Sequence, residues 1–192
     1  MKYPHIPELH RLSRIMKEAL FENAYVFEKL DGGNVQVAIT GEVVTHGLRS
    51  GSLRGTRAPW KEEFKRWYWT NRESIDELPD GTYFGEFLAP HTVQYKPEYT
   101  NKFFLIDVFI CDALGDGFVS YERALELARP ARSAMLPAPL LHKGAVTADL
   151  IEKLVNGKSE YSVSGVREGI VIKNYPLQTF AKVLRRAANN EI

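Results

Sequence analysis

The chain has 192 residues, 44% of them hydrophobic and 26% charged, which is enough to bury one substantial core and reads as a single domain over 1–192. Its formal charge of +1 makes no global electrostatic case for a polyanionic partner, so any basic surface must come from how Lys and Arg are distributed. A single cysteine, Cys111, excludes an internal disulfide and a thiolate-rich metal site within one chain; with no signal-peptide-like start and no segment long enough to cross a bilayer, a soluble cytoplasmic protein without a membrane partner is expected.

Residues 7–21 place Leu9, Leu12, Ile15, Met16, Ala19 and Leu20 at helical spacing, with Pro7 suited to a first turn. AYVFEKL, GGNVQVAIT and EVVTHGL follow as short β-branched or aromatic runs, separated by Asp31-Gly32-Gly33 and by Gly41-Glu42. This pattern predicts a meander of antiparallel strands joined by tight turns. In WKEEFKRWYW, Trp60, Phe64 and Trp67 fall on one face of a helix. Strands are predicted at TYFGEFL and NKFFLIDVFI, helices at VSYERALELA and TADLIEKLV, and closing strands at GIVIKN and QTFAKVL. Because strands and helices do not alternate regularly, an α+β arrangement of antiparallel sheets flanked by helices is favoured over a doubly wound parallel sheet.

Two segments carry chemistry. Glu28-Lys29-Leu30-Asp31-Gly32-Gly33-Asn34 puts a lysine at the end of an apolar strand, just before a turn that glycine takes easily, where backbone can bring a ligand phosphate close to an amine. A lysine amine, with an ordinary pKa of about 10.4, becomes a useful nucleophile when it is desolvated or set among other cations. Lys173, Lys182 and Arg49 nearby would meet that need. Glu168-Gly169-Ile170-Val171-Ile172-Lys173 brackets three β-branched residues with one charge of each sign, which suits a metal-bound triphosphate. Either segment alone also reads as an ordinary strand with solvated charged ends.

Taken in order along the chain, these segments resemble the motifs of the covalent nucleotidyltransferase superfamily, which contains ATP-dependent DNA ligases, RNA ligases and mRNA capping enzymes. The resemblance runs from about residue 24 to residue 186 and implies a ligase adenylation fold with a nucleotide pocket between its sheets. By position it implies that Lys29 forms the phosphoramidate with AMP. Tyr83-Phe84-Gly85-Glu86-Phe87-Leu88 resembles the strand whose glutamate contacts the nucleotide ribose. Phe103-Phe104-Leu105-Ile106-Asp107-Val108 resembles the strand that packs on the purine. Phe180-Ala181-Lys182-Val183-Leu184 resembles the closing lysine strand, which assigns Lys182 to the AMP phosphate. Glu28 before the lysine, Asn34 five residues after it and Arg49 some twenty residues beyond resemble RNA ligases of the bacteriophage T4 type 2 kind, which implies that all three bind the nucleotide, with Arg49 on phosphate or ribose; Glu168 and Lys173 are expected to bind it as well. Two positions depart from the family pattern. Ile106 stands where an aromatic is usual, so adenine would meet an aliphatic surface or Phe104. Leu184 stands where relatives carry a second lysine, a place that Arg185 or Arg186 would fill.

The resemblance implies an ATP-dependent RNA ligase. Lys29 attacks the α-phosphorus of ATP, AMP passes to an RNA 5′-phosphate, and a 3′-hydroxyl then displaces AMP to seal the strand. Mg²⁺, or Mn²⁺ in its place, would neutralise the triphosphate with Glu168 as its carboxylate, while Asp31 has an equal claim to structural hydrogen bonds. The expected partners are RNA ends or a nicked duplex. Arg49, Arg54, Arg57, Lys61, Lys65 and Arg66 could track phosphates, and Tyr68 or Trp69 could stack on a base. The competing reading makes Trp60, Phe64 and Trp67 a core stripe and the basic residues its wet side. His46 lies near the expected pocket with an ordinary polar role. Because the chain ends at AANNEI without the further domain that ligases usually add, reliance on a partner protein for substrate grip is expected. A DNA nick-sealing ligase, a guanylyltransferase and an RNA-end-binding module without sealing activity are the alternatives.

Overall fold

The computed structural model describes residues 2–48, 59–89, 92–112 and 115–185. In chain order they form α1 (Arg14–Glu22), β1 (Ala24–Lys29), β2 (Gly33–Thr40), β3 (Val43–Leu48), α2 (Pro59–Thr70), α3 (Arg72–Asp76), β4 (Gly81–Phe87) and β5 (Phe103–Asp112). They continue with β6 (Gly115–Phe118), α4 (Tyr121–Leu127), β7 (Met135–Pro137), β8 (Leu140–Gly144), α5 (Ala148–Asn156), β9 (Gly169–Asn174) and β10 (Thr179–Leu184). The α+β class is as expected. The chain divides into two compact units, one of Met1–Pro4 with Asp31–Ala138 and one of His5–Leu30 with Pro139–Ile192.

The second unit is a four-stranded antiparallel sheet in the order β10-β9-β1-β8. One face carries Ala24, Val26, Ile170, Ile172 and Ala181, packed with Leu20 of α1 and with Ile151 and Val155 of α5. α5 starts where Thr147 caps the backbone N–H of Leu150 at 3.2 Å. The helix expected over 7–21 is interrupted. A 3-10 turn spans Leu9–Arg11, Leu12 is extended, and Ser13 accepts a hydrogen bond from the Met16 N–H, so α1 begins only at Arg14. The hydroxyl offers the backbone a start signal in mid-pattern, and the change of phase leaves Ile15 78% exposed.

The first unit holds the larger sheet, β3-β2-β4-β5-β6, with β7 added in parallel to β5. Its core joins Val35, Val37 and Ile39 of β2 to Phe64 and Trp67 of α2 and to Phe103, Leu105 and Val108 of β5. Trp67 stacks on Phe103 at 4.8 Å and donates its indole N–H to the carbonyl of Ala134. The alternation of β5 slips between Leu105 and Asp107, which pair with Gly85 and Phe84, so Ile106 is the extra residue of a bulge.

The meander expected of the first three strands is not formed, because β1 and β2 belong to different sheets. Each already has both edges occupied, β1 by β9 and β8, β2 by β3 and β4. The Asp31-Gly32 link therefore leads from one sheet to the other. Neither Gly32 nor Gly33 has a positive φ. What excludes a side chain there is proximity: a Cβ on Gly32 would run into the Phe87 carbonyl, and one on Gly33 would lie 2.5 Å from the Trp60 ring.

Candidate functional site

In the second unit, register and alternation decide which motif residues meet. Tyr25 pairs with Lys173, Phe27 with Val171 and Lys29 with Gly169 across β1 and β9, while Phe180 and Lys182 of β10 face Lys173 and Val171. Successive residues of a strand point to opposite faces. Lys29, Lys173 and Lys182 therefore share the sheet face opposite the core, with Tyr25, Phe27 and Phe180 among them. The Lys29 ammonium donates to Glu168 Oε2 at 2.5 Å, and both side chains are about a quarter exposed, at 23% and 28%. Lys173 is buried, its ammonium over the rings of Phe27 at 4.9 Å, Phe180 at 5.6 Å and Tyr175 at 5.9 Å. On β8, Lys143 lies over Tyr25 at 4.9 Å.

Glu28 is not brought to this face. Alternation turns it to the core side, where Ser159 Oγ donates to its Oε1 at 2.5 Å and an Arg167 guanidinium nitrogen lies 3.6 Å from its Oε2. Burial pushes its carboxyl above the ordinary value of 4.5, with the Ser159 hydrogen bond and Arg167 opposing that push. Arg167 also donates to the carbonyls of Leu154, at 2.9 Å, and Lys158. The sequence carries no signal for Ser159, and only its place beside Glu168 draws notice to Arg167.

The first unit gathers a second group. Glu86 on β4 faces Asn34 on β2; its Oε1 accepts the Gly32 N–H at 3.0 Å and its Oε2 lies 3.5 Å from the Asn34 amide nitrogen. Asn34 Oδ1 and Gln36 Oε1 are buried acceptors with no donor among the described residues. Asp31 is tied structurally: its carboxylate accepts the Val93 N–H at 2.9 Å, and its own N–H donates to Tyr95 Oη at 2.6 Å. On the same face of β5 as Phe104, the bulge presents both Ile106 and Asp107, and Asp107 accepts the Tyr3 hydroxyl.

Among the described residues no three His, Cys, Asp or Glu side chains gather to hold a metal. A lone carboxylate at Glu168 suits a magnesium or manganese ion that keeps several waters and takes its other oxygens from phosphate.

The basic segment divides. Arg49, Arg54 and Arg57 lie outside the described residues. Lys65 and Arg66 are paired with Glu62 and Glu63 one helical turn away, an arrangement that leaves little net charge. Phe64 and Trp67 face the core, and Trp60 packs against it. Tyr68 is buried and stacks on His46 at 4.0 Å, so it is closed to a base, whereas Trp69 is 62% exposed. Burial lowers the His46 imidazole below its ordinary 6.5, helped by Lys65 and Arg72.

A family model described as RNA ligase matches residues 22–185. Solved structures of Naegleria gruberi RNA ligase share the fold. One variant with ATP and Mn superposes with a TM-score of 0.69 at 17% identity, covering 96% of this chain and 55% of that one. Another with AMP and Mn gives 0.72 at 17%, with 96% and 56% covered; the enzyme with PPi gives 0.68 at 17%, again with 96% and 56%. The chain thus spans a little over half the length of these structures. No curated protein matches it.

Proposed function

The chain belongs to the RNA ligase family, and on that premise we propose that it is an ATP-dependent RNA ligase whose Lys29 becomes joined to AMP. One observation carries the reading: the Lys29 amine is held by Glu168 on a sheet face that also presents Lys173 and Lys182. The relatives solved with ATP, AMP and PPi support a reaction that divides ATP between those two products.

Lys29, relieved of its ammonium proton, attacks the α-phosphorus; an N–P bond forms as the P–O bond to pyrophosphate breaks. Lys182 offsets the negative charge of the reacting phosphates, and Lys173, four residues along the ladder from Lys29 and enclosed by aromatic rings, adds positive potential from a distance; because both stand on rigid paired strands that charge needs no rearrangement during reaction. Glu168 would hold a Mg²⁺ or Mn²⁺ ion brought with the triphosphate, and the ion would supply further neutralisation there. Glu86 and Asn34 serve the ribose side of the nucleotide, Phe104 and Ile106 the purine, and Arg49 phosphate or ribose. AMP then moves to the 5′-phosphate of an RNA end or nick, and a 3′-hydroxyl displaces it to close the strand. RNA repair in the cytoplasm is the setting that fits this activity.

Incubation with ATP labelled at the α-phosphate and Mg²⁺, followed by denaturing electrophoresis, tests the first step. The wild type should retain label and Lys29→Ala should not; label on the alanine variant removes Lys29 from its role. Labelling by GTP instead of ATP would make the protein a guanylyltransferase. Nicked RNA, nicked DNA and single-stranded RNA offered to the labelled protein separate an RNA ligase from a DNA ligase and from a module that binds ends without sealing.

A further inference from the structure

At the ends of β1 and β9, two ion pairs stand back to back. Lys29 meets Glu168 on the lysine face, and their chain neighbours Glu28 and Arg167 meet on the core face. Strand alternation alone does not produce this. Since Ile170 and Ile172 point to the core, a chain continuing its pleat backward through Gly169 would send Glu168 to the core side and Arg167 to the lysine side. The contacts have the opposite sense, so the backbone is turned by one residue ahead of Gly169. There the chain runs so close to β10 that a Cβ on Gly169 would strike the Val183 carbonyl oxygen. Arg167 anchors the turned segment, through the ion pair to Glu28 and through the carbonyls of Leu154 and Lys158. Ser159 ties Glu28 from the same side and also accepts the N–H groups of Tyr161 and Ser162.

We propose that Glu28 and Arg167 are a positioning pair: their buried contact sets the turn before β9 and so delivers Glu168 to the Lys29 amine. The inference rests on the ligase reading for its catalytic consequence, though its geometric content stands without it. Glu28 acts through Lys29 and Glu168 and touches no nucleotide, which replaces the nucleotide contact expected of it from sequence. A buried pair of this kind adds little net stability over apolar residues of similar size, and serves better to specify one arrangement of the chain.

The main test is the double variant Glu28→Leu/Arg167→Met, which removes both charges and leaves neither stranded. Glu28→Gln, which keeps shape and an acceptor for Ser159, accompanies it and becomes the readout if the double variant does not fold. Two measurements are made. The first, independent of ATP, is the rate at which an amine-acetylating reagent modifies Lys29 relative to the other lysines, followed by mass spectrometry. Release from Glu168 should raise it severalfold in the double variant, with a smaller rise in Glu28→Gln. The second is single-turnover formation of the AMP adduct. The rate at saturating ATP should fall by up to about 10²-fold in the double variant, as expected when a reacting group is displaced by about 1 Å; any rise in the ATP concentration giving half that rate accompanies this fall, because Glu168 also serves the metal-bound triphosphate. Unaltered Lys29 reactivity in the folded variants overturns the proposal, as does a raised half-saturating ATP concentration with an unchanged limiting rate, which would return Glu28 to the nucleotide. If the wild type forms no adduct while Lys29 reactivity still responds, the ligase reading fails and the positioning pair survives.

Discussion

The Gly32-Gly33 pair allows a sharp test of why two glycines follow Lys29-Leu30-Asp31. A Cβ on Gly33 would stand 2.5 Å from two atoms of the Trp60 ring and 2.9 Å from a third, whereas one on Gly32 would meet main chain, the Phe87 carbonyl, with its carbon at 3.0 Å. Overpacking of this kind costs about 1–3 kcal/mol. Both glycines have ordinary φ values, so alanine also restricts the unfolded chain and offsets about 0.4–1 kcal/mol. Gly33→Ala should therefore lose about 1–2 kcal/mol net, or roughly 2–8 °C of melting temperature for a chain of this size. Trp60→Leu removes the ring, and in that background Gly33→Ala should become neutral or stabilising. Gly32→Ala should cost the same with or without the tryptophan, because its obstacle is backbone paired into β4. Thermal unfolding followed by circular dichroism on the six chains completes both cycles. An equal cost for Gly33→Ala in the two backgrounds would refute the steric account.

Three further outcomes are expected. Since burial lowers the His46 pKa, the stability it contributes is complete above its ordinary 6.5 and is lost as pH falls below that value. Wild-type melting temperature should thus drop between about pH 7 and about pH 5 by more than that of His46→Phe; parallel curves would dismiss the imidazole as the cause. Ser159→Ala strips the buried Glu28 carboxylate of a donor and should cost about 1–3 kcal/mol in urea unfolding. As that hydrogen bond opposes the upward push on Glu28, the loss should grow as pH rises above 4.5, and a pH-independent loss would count against it. Thr147→Ala, by removing the cap of α5, should cost about 1 kcal/mol, with Thr147→Ser restoring most of it.

The strands that carry the motifs were legible because their runs are apolar, long and bounded by turn residues; β1, β2, β4, β5, β9 and β10 lie close to where the pattern puts them. That Lys29, Lys173 and Lys182 share one face follows only from the register of three strands, and the same register sets Lys173 level with Tyr25, four residues from Lys29. Sheet membership was not legible. Which strand joins which is a non-local choice, and a Gly-Gly link between two apolar runs reads as a hairpin until both strands are seen to have other neighbours on each edge. β6 is Gly-Asp-Gly-Phe and β7 only three residues long, too short for a periodic signal. Glu28 shows what a motif leaves unsaid. The resemblance implies a nucleotide contact for it, but not that its side chain lies on the opposite face from that of Lys29, since neighbours along a strand point apart, nor that its partner is Arg167, far along the chain.

Lys173 brings a different property to the lysine face. It is 3% exposed and lies among three aromatic rings, out of reach of the small ions that gather around surface charge. Salt weakens exposed charges within a Debye length of about 10 Å at 0.1 M, but screens buried ones much less. As ionic strength rises, the pull of exposed Lys143 should fade first and that of Lys173 last. The far end of the β1–β9 ladder thus keeps a core of positive potential that buffer composition cannot easily erase.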